Sequence, residues 1–166
     1  MTPTPLLRVE DLVCEFTVRT EGGLRRGARL RAVDRVSLTV GHGETLAVVG
    51  ESGCGKSTMA RAVARLLRPV SGTVEFAGRD ITRLGRSDLR GLRRELQYVF
   101  QDASAALDPR MRIGASIAEP LRVHRLAGRA ASLDRAAGLL ELVGLPPALA
   151  ARRPHELSGG QRQRAG

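Results

Sequence analysis

The amino-acid sequence predicts an α/β fold joined to a helical part. Residues 45–49 form a short apolar run that leads through a glycine-rich loop into a helical pattern, which is the order of half an α/β unit. From about residue 101 onward, helix-type segments replace strand-type ones. We therefore expect an α/β core over residues 1–100 and a helical subdomain over residues 101–166.

Strand-type patterns dominate the first hundred residues. The third of them alternates Val36, Leu38 and Val40 with polar neighbours, as a half-buried strand does. The run at 45–49 is apolar apart from Thr45 and predicts a buried parallel strand. The predicted strands are residues 6–9, 13–18, 33–40, 45–49, 73–77 and 96–101. Residues 20–29 are glycine-rich and basic, which predicts an exposed loop.

Helical patterns follow the glycine-rich loop and return after residue 101. The first places Ala60, Val63, Ala64 and Leu67 on one face and is stopped by Pro69. Two more are predicted over residues 113–123 and 133–143, the second opening on Ser132 and closing on Gly144, with Pro146 behind it.

Composition narrows the class of protein. Hydrophobic residues make up 42% of the chain and charged residues 27%, which is typical of a globular protein. The formal net charge of +10 suggests an anionic partner, or arginine on ordinary solvated faces. Aromatic residues are only 2%, which argues against single-stranded nucleic acid as a ligand. Cys14 and Cys54 are too few for a disulfide framework and indicate a reducing compartment.

No apolar run approaches the roughly 18 residues that a bilayer span requires. The first residues, MTPTPLLRVEDL, lack the pattern of a secretory signal. We expect the chain on the cytoplasmic side, held at a membrane only through a partner.

The segment GESGCGKST, residues 50–58, matches the pattern G-x-x-x-x-G-K-[ST] between a predicted strand and a predicted helix. Gly50, Gly53 and Gly55 allow positive φ and close backbone approach, so that successive N–H groups can point at phosphate oxygens. Cys54 occupies a variable position and needs only to be small. The alternative, a glycine-rich turn that happens to carry Lys-Ser, does not account for the flanking strand and helix.

This loop predicts a site for a nucleoside triphosphate. The ammonium of Lys56 can reach the β and γ phosphates, and the hydroxyl of Ser57 can bind Mg²⁺. The helix that starts here adds positive potential at its N-terminus. The candidate nucleotide-binding residues are Gly50, Ser52, Gly53, Cys54, Gly55, Lys56, Ser57 and Thr58.

A second glycine-rich stretch, residues 157–161, lacks the lysine and the preceding strand of a phosphate loop. Ser158 can accept backbone N–H bonds as a helix cap, while Gly159 and Gly160 leave their own N–H groups bare. The residues alone leave two readings open: a plain helix start or an anion site that needs a partner.

Three motifs together resemble those of the ATP-binding-cassette (ABC) ATPases. Residues 157–164, LSGGQRQR, look like the signature motif, and residues 50–58 look like the Walker A loop. Residues 98–101 resemble the strand that ends in the Q-loop glutamine, Gln101. The resemblance implies a P-loop NTPase fold, with a RecA-like core, an antiparallel β subdomain and a helical subdomain, here ending before the Walker B strand.

A narrower resemblance concerns the oligopeptide and dipeptide importers. Residues 99–111 and 117–121 are similar to these ATPases, as are residues 43–50 and the basic insert between Phe16 and Val33. It implies the ATP-binding subunit of an importer for peptides or related small solutes. Its partners would be a second ATP-binding subunit, a permease that docks on residues 102–121 and, indirectly, an extracytoplasmic solute-binding protein, with no direct nucleic acid.

The resemblance also implies roles for individual residues. Gln101 would be catalytic, touching Mg²⁺ and the attacking water, and Phe16 would stack on adenine, although by sequence alone it could equally belong to the core. The signature residues that would contact the γ-phosphate of ATP held by the opposite subunit are Ser158, Gly159, Gly160 and Gln161.

Further residues of the family's catalytic site, a Walker B strand ending in Asp-Glu and a switch histidine, would follow the signature helix and are not within residues 1–166. We expect these 166 residues alone to be poorly soluble or partly open and to lack steady ATP turnover. Two alternatives to an importer subunit are a soluble ABC-type ATPase acting on nucleic acid or ribosomes, and a truncated, non-catalytic nucleotide-binding fragment. A permease gene next to this one would favour the importer over the soluble ATPase. An in-frame apolar strand ending in Asp-Glu in the downstream DNA would argue against the truncated fragment.

Overall fold

A computed structural model describes residues 4–18, 28–102 and 106–166. Most of the predicted basic loop, residues 20–27, lies outside these described residues. So do residues 103–105 of the segment expected to receive a permease.

The first unit, Met1–Tyr98, contains a four-stranded sheet. Its elements are strands β1 (Leu7–Val18), β2 (Ala28–Val40), β3 (Ser71–Phe76) and β4 (Arg79–Asp80), with helices α1 (Lys56–Val63) and α2 (Arg86–Leu92). The sheet order is β2-β1-β3-β4 and every pair is antiparallel. The predicted strands at 6–9 and 13–18 therefore form one strand, which bulges where Asp11 has a φ of 46°.

Strand β2 begins earlier than the sequence predicts. Ala28 and Arg29, placed in the exposed loop by the sequence, pair with Val18 and Thr17 of β1. The ladder continues to Val40 opposite Leu7, with an irregularity near Arg35, whose φ is 47°. Long antiparallel pairing extends the strand through residues whose own composition is polar.

Helix α1 packs on one face of this sheet. Met59 and Ala62 are its buried residues, and they join the core made by the inward side chains of the strands. The buried members of that core are Val9, Leu12, Cys14, Val33, Met59, Ala62, Val74, Ile81 and Leu92. Burial raises the pKa of the Cys14 thiol, which keeps it protonated and unreactive.

The second unit, Val99–Gly166, is helical. Its described part contains α3 (Ile113–Val123), α4 (Arg129–Leu142) and α5 (Gly159–Ala165), with short 3-10 helices at Pro147–Ala151 and Pro154–Glu156. Its own core contains Leu107, Ile113, Leu140, Leu145 and Leu157. None of the described helices is long and apolar enough to cross a membrane.

Two predicted strands are not strands in the structure. Residues 45–49 and 96–101 lie outside the four-stranded sheet, and the apolar run at 45–49 is exposed, with Val49 at 90% of its full accessibility. An apolar run becomes a strand only where a neighbouring strand completes its backbone ladder. Among the described residues, no strand of the antiparallel sheet pairs with either run.

The helix boundaries differ from the predicted ones in two places. Helix α1 ends at Val63 rather than continuing to Pro69, because Arg65 adopts the left-handed conformation with a φ of 55°. Helix α4 begins at Arg129, so Ser132 is not its cap but a buried residue of its first turn, whose hydroxyl donates to the Arg129 carbonyl at 2.9 Å. The predicted stop at Gly144 is confirmed by its φ of 70°.

Candidate functional site

The loop between residues 50 and 55 depends on two glycines in a conformation that other residues rarely adopt. Gly53 has a φ of 84° and Gly55 a φ of 98°. Gly55 directly precedes the first residue of α1, so the chain turns through this conformation as it enters the helix. Positive φ at both positions turns the loop tightly at the N-terminus of α1.

Gly55 is also held against strand β2. A Cβ atom at this position would lie 2.0 Å from the carbonyl oxygen of Ala32. The loop therefore packs backbone to backbone on the strand, at a distance that only glycine permits. Gly50 differs from the prediction, since it does not have a positive φ. A Cβ at Gly50 would lie 2.9 Å from the Cys54 sulfur, a side-chain atom that can move aside.

The ammonium of Lys56 lies over this loop. Its Nζ donates to the carbonyl oxygens of Gly50 at 2.7 Å and Glu51 at 2.5 Å, and lies 3.5 Å from Cys54 Sγ. The side chain thus bends back from the start of α1 across the loop. This places the ammonium of the one lysine in the sequence over the loop, beside the start of α1.

The N-terminus of α1 offers backbone donors next to the lysine. Within the described residues no side chain caps this end of the helix, and its first turn contains no acidic residue. The exposed Ser57 and the partly buried Thr58 lie in that turn, directly after Lys56. Uncapped N–H groups, a positive helix end and an ammonium together suit a polyphosphate anion.

A cavity of about 200 Å³ adjoins the loop. Cys54, Gly55 and Lys56 line one side, and apolar residues of β2, among them Val33 and Val36, line another. Small-molecule sites usually span roughly 300–1,000 Å³, so this cavity has room for part of a nucleotide.

Phe16 and Gln101 occupy different units. Phe16 is in β1 opposite Leu30 and is 40% exposed, so it is not a core residue. Gln101 is exposed near the start of the second unit. Their expected contacts with adenine and with Mg²⁺ stay predictions. Among the described residues, no group of three or more acidic, histidine or cysteine side chains forms a metal cluster.

The second glycine-rich stretch begins helix α5 with a capping box. Ser158 Oγ accepts from the N–H of Gln161 at 3.3 Å, and the N–H of Ser158 donates to Gln161 Oε1 at 2.9 Å. The predicted helix cap at Ser158 is therefore confirmed. Gly159 and Gly160 are exposed, and a Cβ at either would meet open space.

Two arginines of the signature stretch donate hydrogen bonds to backbone carbonyls around it. The sequence did not predict this role. Arg162 Nη1 donates to the Leu157 carbonyl at 2.6 Å, and Arg164 Nη1 donates to the carbonyls of Val143 at 3.3 Å and Gly144 at 3.2 Å. The latter two lie at the C-terminal end of α4, where a cation is favoured. The only sequence signal was the run of Gln and Arg after the glycines.

The turn that precedes this stretch is held by Glu156. The backbone N–H of Arg153 and the side chain of Arg152 donate to its carboxylate, at 2.6 Å and 2.9 Å. These bonds hold the pKa of Glu156 below its ordinary value of 4.5. The carboxylate therefore stays charged in mildly acidic solution and fixes the turn that leads into Ser158.

Comparison with known proteins gives one family. A family described as ABC transporter matches residues 33–166. The match includes both the loop at 50–58 and the stretch at 157–164.

Among curated proteins, the chain is 52% identical over 161 residues to the glutathione import ATP-binding protein GsiA of Shigella dysenteriae serotype 1 (strain Sd197). It is 49% identical over 161 residues to the protein of the same name from Pectobacterium atrosepticum. Each match covers 96% of the chain but 26% of the relative, so the chain spans about a quarter of the length of these relatives.

Among solved structures, the chain is similar to the ATP-binding cassette MJ0796, described as a dimer in a post-hydrolysis state bound to ADP and Pi. The TM-score is 0.77 at 26% sequence identity, over 96% of this chain and 66% of that one.

Proposed function

Because this chain belongs to the ABC transporter family, we propose that it binds Mg-ATP at the loop of residues 50–58 and is the ATP-binding part of an importer. The observation that carries the proposal is the loop itself. Gly53 and Gly55 both have a positive φ, Gly55 packs against β2, and Lys56 lies across the loop at the uncapped start of α1.

The residues of the loop fit the phosphates of ATP. The Lys56 ammonium, bonded to the carbonyls of Gly50 and Glu51, would exchange these neutral acceptors for phosphate oxygens, which are stronger acceptors because they are charged. The N–H groups at the start of α1 would bind the same anion. Ser57, exposed beside them, has the hydroxyl that can bind Mg²⁺, with Gln101 as a second proposed ligand. Bound Mg²⁺ would neutralise phosphate charge during hydrolysis.

The proposed substrate class is small peptides and related solutes. The relatives are named for glutathione import, and glutathione is itself a short peptide. The solute would be moved by a permease, so the chain would act from the cytoplasmic face as a peripheral subunit docked through residues 102–121. A solute-binding protein outside the membrane would be an indirect partner.

A second ATP-binding subunit is the other proposed partner. The similar cassette MJ0796 is described as dimeric. The signature stretch of this chain fits a contact of that kind, because the capping box fixes Ser158 and Gln161 while Gly159 and Gly160 remain exposed. We assign these four residues to the γ-phosphate of an ATP bound by the partner subunit.

Titration calorimetry of the full chain with Mg-ATP tests the binding proposal. Each hydrogen bond to a charged group contributes about 1.5–3 kcal/mol, so Lys56→Ala should weaken binding by tenfold or more. Arg61→Ala is the matched control, since it removes a positive charge from the exposed side of the same helix and should leave affinity nearly unchanged. Equal affinity of the wild type and Lys56→Ala would refute the assignment of the loop.

The importer proposal has its own test. Cells that lack the gene should lose uptake of labelled glutathione or small peptides and regain it when the gene is restored. Retention of uptake of every such solute would contradict the proposed substrate class while leaving nucleotide binding intact.

A further inference from the structure

Helix α1 begins at the phosphate loop. Two backbone hydrogen bonds, one spanning five residues and one spanning three, close the turn at its C-terminal end. The N–H of Leu66 donates to the Arg61 carbonyl at 2.8 Å, and the N–H of Arg65 donates to the Ala62 carbonyl at 3.0 Å. This is the Schellman arrangement, in which the residue after the helix has a positive φ. Here that residue is Arg65 instead of the usual glycine, with a φ of 55°.

The carbonyls of Ala64 and Arg65, the two residues that follow α1, are bound by a side chain from elsewhere in the first unit. Arg93, directly after α2, donates through Nη1 to the Ala64 carbonyl at 2.7 Å and through Nη2 to the Arg65 carbonyl at 3.0 Å. Ala64 is the C-cap and Arg65 the residue after it, so no further turn of the helix supplies an N–H to their carbonyls, and a buried carbonyl left unpaired is costly. One planar guanidinium thus completes the C-terminal end of α1.

The side chain of Arg65 also stabilises the chain at the C-terminal end of α1. It is buried, with Nε donating to the Ile81 carbonyl at 2.8 Å and Nη1 to the Leu67 carbonyl at 3.3 Å. Burial, with the positive charges of Arg68 and Arg93, lowers the pKa of Arg65. Like charges are tolerated here because the C-terminal end of a helix has a negative potential.

We propose that Arg93 is a positioning residue for the phosphate loop, acting through helix α1. With 8 residues the helix is about 12 Å long, only two turns. Lys56 and Ser57 lie in its first turn, so a change of tilt at the end held by Arg93 moves the ammonium and the hydroxyl at the other end. Arg93 itself touches neither. This inference rests on the proposed function, because positioning matters only if the loop binds a nucleotide.

The structure supplies a matched set of variants. Arg93→Gln removes the charge and the paired donors, whereas Arg93→Lys keeps the charge and can bond one carbonyl at a time. Arg94→Gln is the control, because it removes the same charge at the next residue, whose side chain is exposed. We expect Mg-ATP affinity to fall about tenfold in Arg93→Gln, about threefold in Arg93→Lys and not measurably in Arg94→Gln.

A second measurement needs no nucleotide. Amide hydrogen exchange over residues 53–60 should speed up in Arg93→Gln, with a smaller change in Arg93→Lys, while residues 9–14 of β1 exchange as in the wild type. The exposed Cys54 thiol gives a further local signal, because its rate of alkylation should change in Arg93→Gln and not in Arg94→Gln.

The outcomes separate positioning from simple stabilisation. Loss of unfolding free energy in Arg93→Gln, with unchanged affinity and unchanged exchange over residues 53–60, would overturn the proposal. If Arg93→Gln does not fold, Arg93→Lys decides: wild-type affinity and exchange in that variant would also overturn it. If the wild type binds no Mg-ATP, the proposed function fails, and the exchange and alkylation data still decide whether Arg93 positions the loop.

Discussion

The contact between Gly55 and strand β2 gives the sharpest prediction. Gly53→Ala and Gly55→Ala make the same chemical change two residues apart in the loop. Both glycines have positive φ, 84° and 98°. They differ in their surroundings, since a Cβ at Gly53 meets nothing within 4 Å whereas one at Gly55 would lie 2.0 Å from the Ala32 carbonyl oxygen.

The magnitudes follow from these two facts. A left-handed conformation costs an L-residue about 1–2 kcal/mol, so we expect Gly53→Ala to destabilise the chain by about that amount. Gly55→Ala adds a backbone clash that forces the loop away from β2. Overpacking of this kind typically costs a further 1–3 kcal/mol, so the expected total is about 2–5 kcal/mol.

The assay is urea unfolding of the full chain followed by circular dichroism, together with calorimetry of Mg-ATP binding. Gly55→Ala should lose more unfolding free energy than Gly53→Ala and should bind Mg-ATP more weakly. Equal losses in the two variants would mean that the approach of the loop to Ala32 has no energetic role, and would refute the account of how the loop is seated.

Other predictions concern the helical unit and are checked by the same unfolding measurements. Gly114→Ala should destabilise the chain by about 1–3 kcal/mol, because the new Cβ would lie 2.9 Å from the Ala150 Cβ. Gly138→Ala, in an exposed part of α4 with open space around it, should instead stabilise it by about 0.5–1 kcal/mol. Ser158→Ala removes a capping hydroxyl and should cost about 0.5–2 kcal/mol. The pKa of Glu156 is depressed, so its contribution is complete above its ordinary value of 4.5 and is lost as pH falls through the lower folded pKa. The stabilities of wild type and Glu156→Gln should therefore converge as the solution is acidified, and a constant difference would contradict this.

Much of the chain could be predicted because its signals are local. The spacing of apolar residues predicts α3 over Ile113–Val123, where the structure has it. The glycine pattern predicts the loop at 50–55, and the left-handed conformations of Gly53 and Gly55 are confirmed. The predicted P-loop NTPase fold is confirmed by the likeness to the cassette MJ0796.

What could not be predicted depends on partners distant in sequence. The apolar run at 45–49 carries the composition of a buried strand, but no described strand pairs with it. Arg93 looks like any charged residue of an amphipathic segment, and only the fold brings it to the carbonyls of Ala64 and Arg65, 29 and 28 positions earlier. Gly50 was grouped with Gly53 and Gly55 as a residue that allows positive φ, but its φ is not positive, and a Cβ there would meet only the Cys54 sulfur.

The most direct test of the central claim is an amide NMR titration of the full chain with Mg-ATP. If the loop holds the phosphates, saturable shifts should be largest for the amides of residues 50–58 and should be strongly reduced in Lys56→Ala. Saturable shifts that map to another surface, or that survive unchanged in Lys56→Ala, would contradict the assignment of this loop as the nucleotide site.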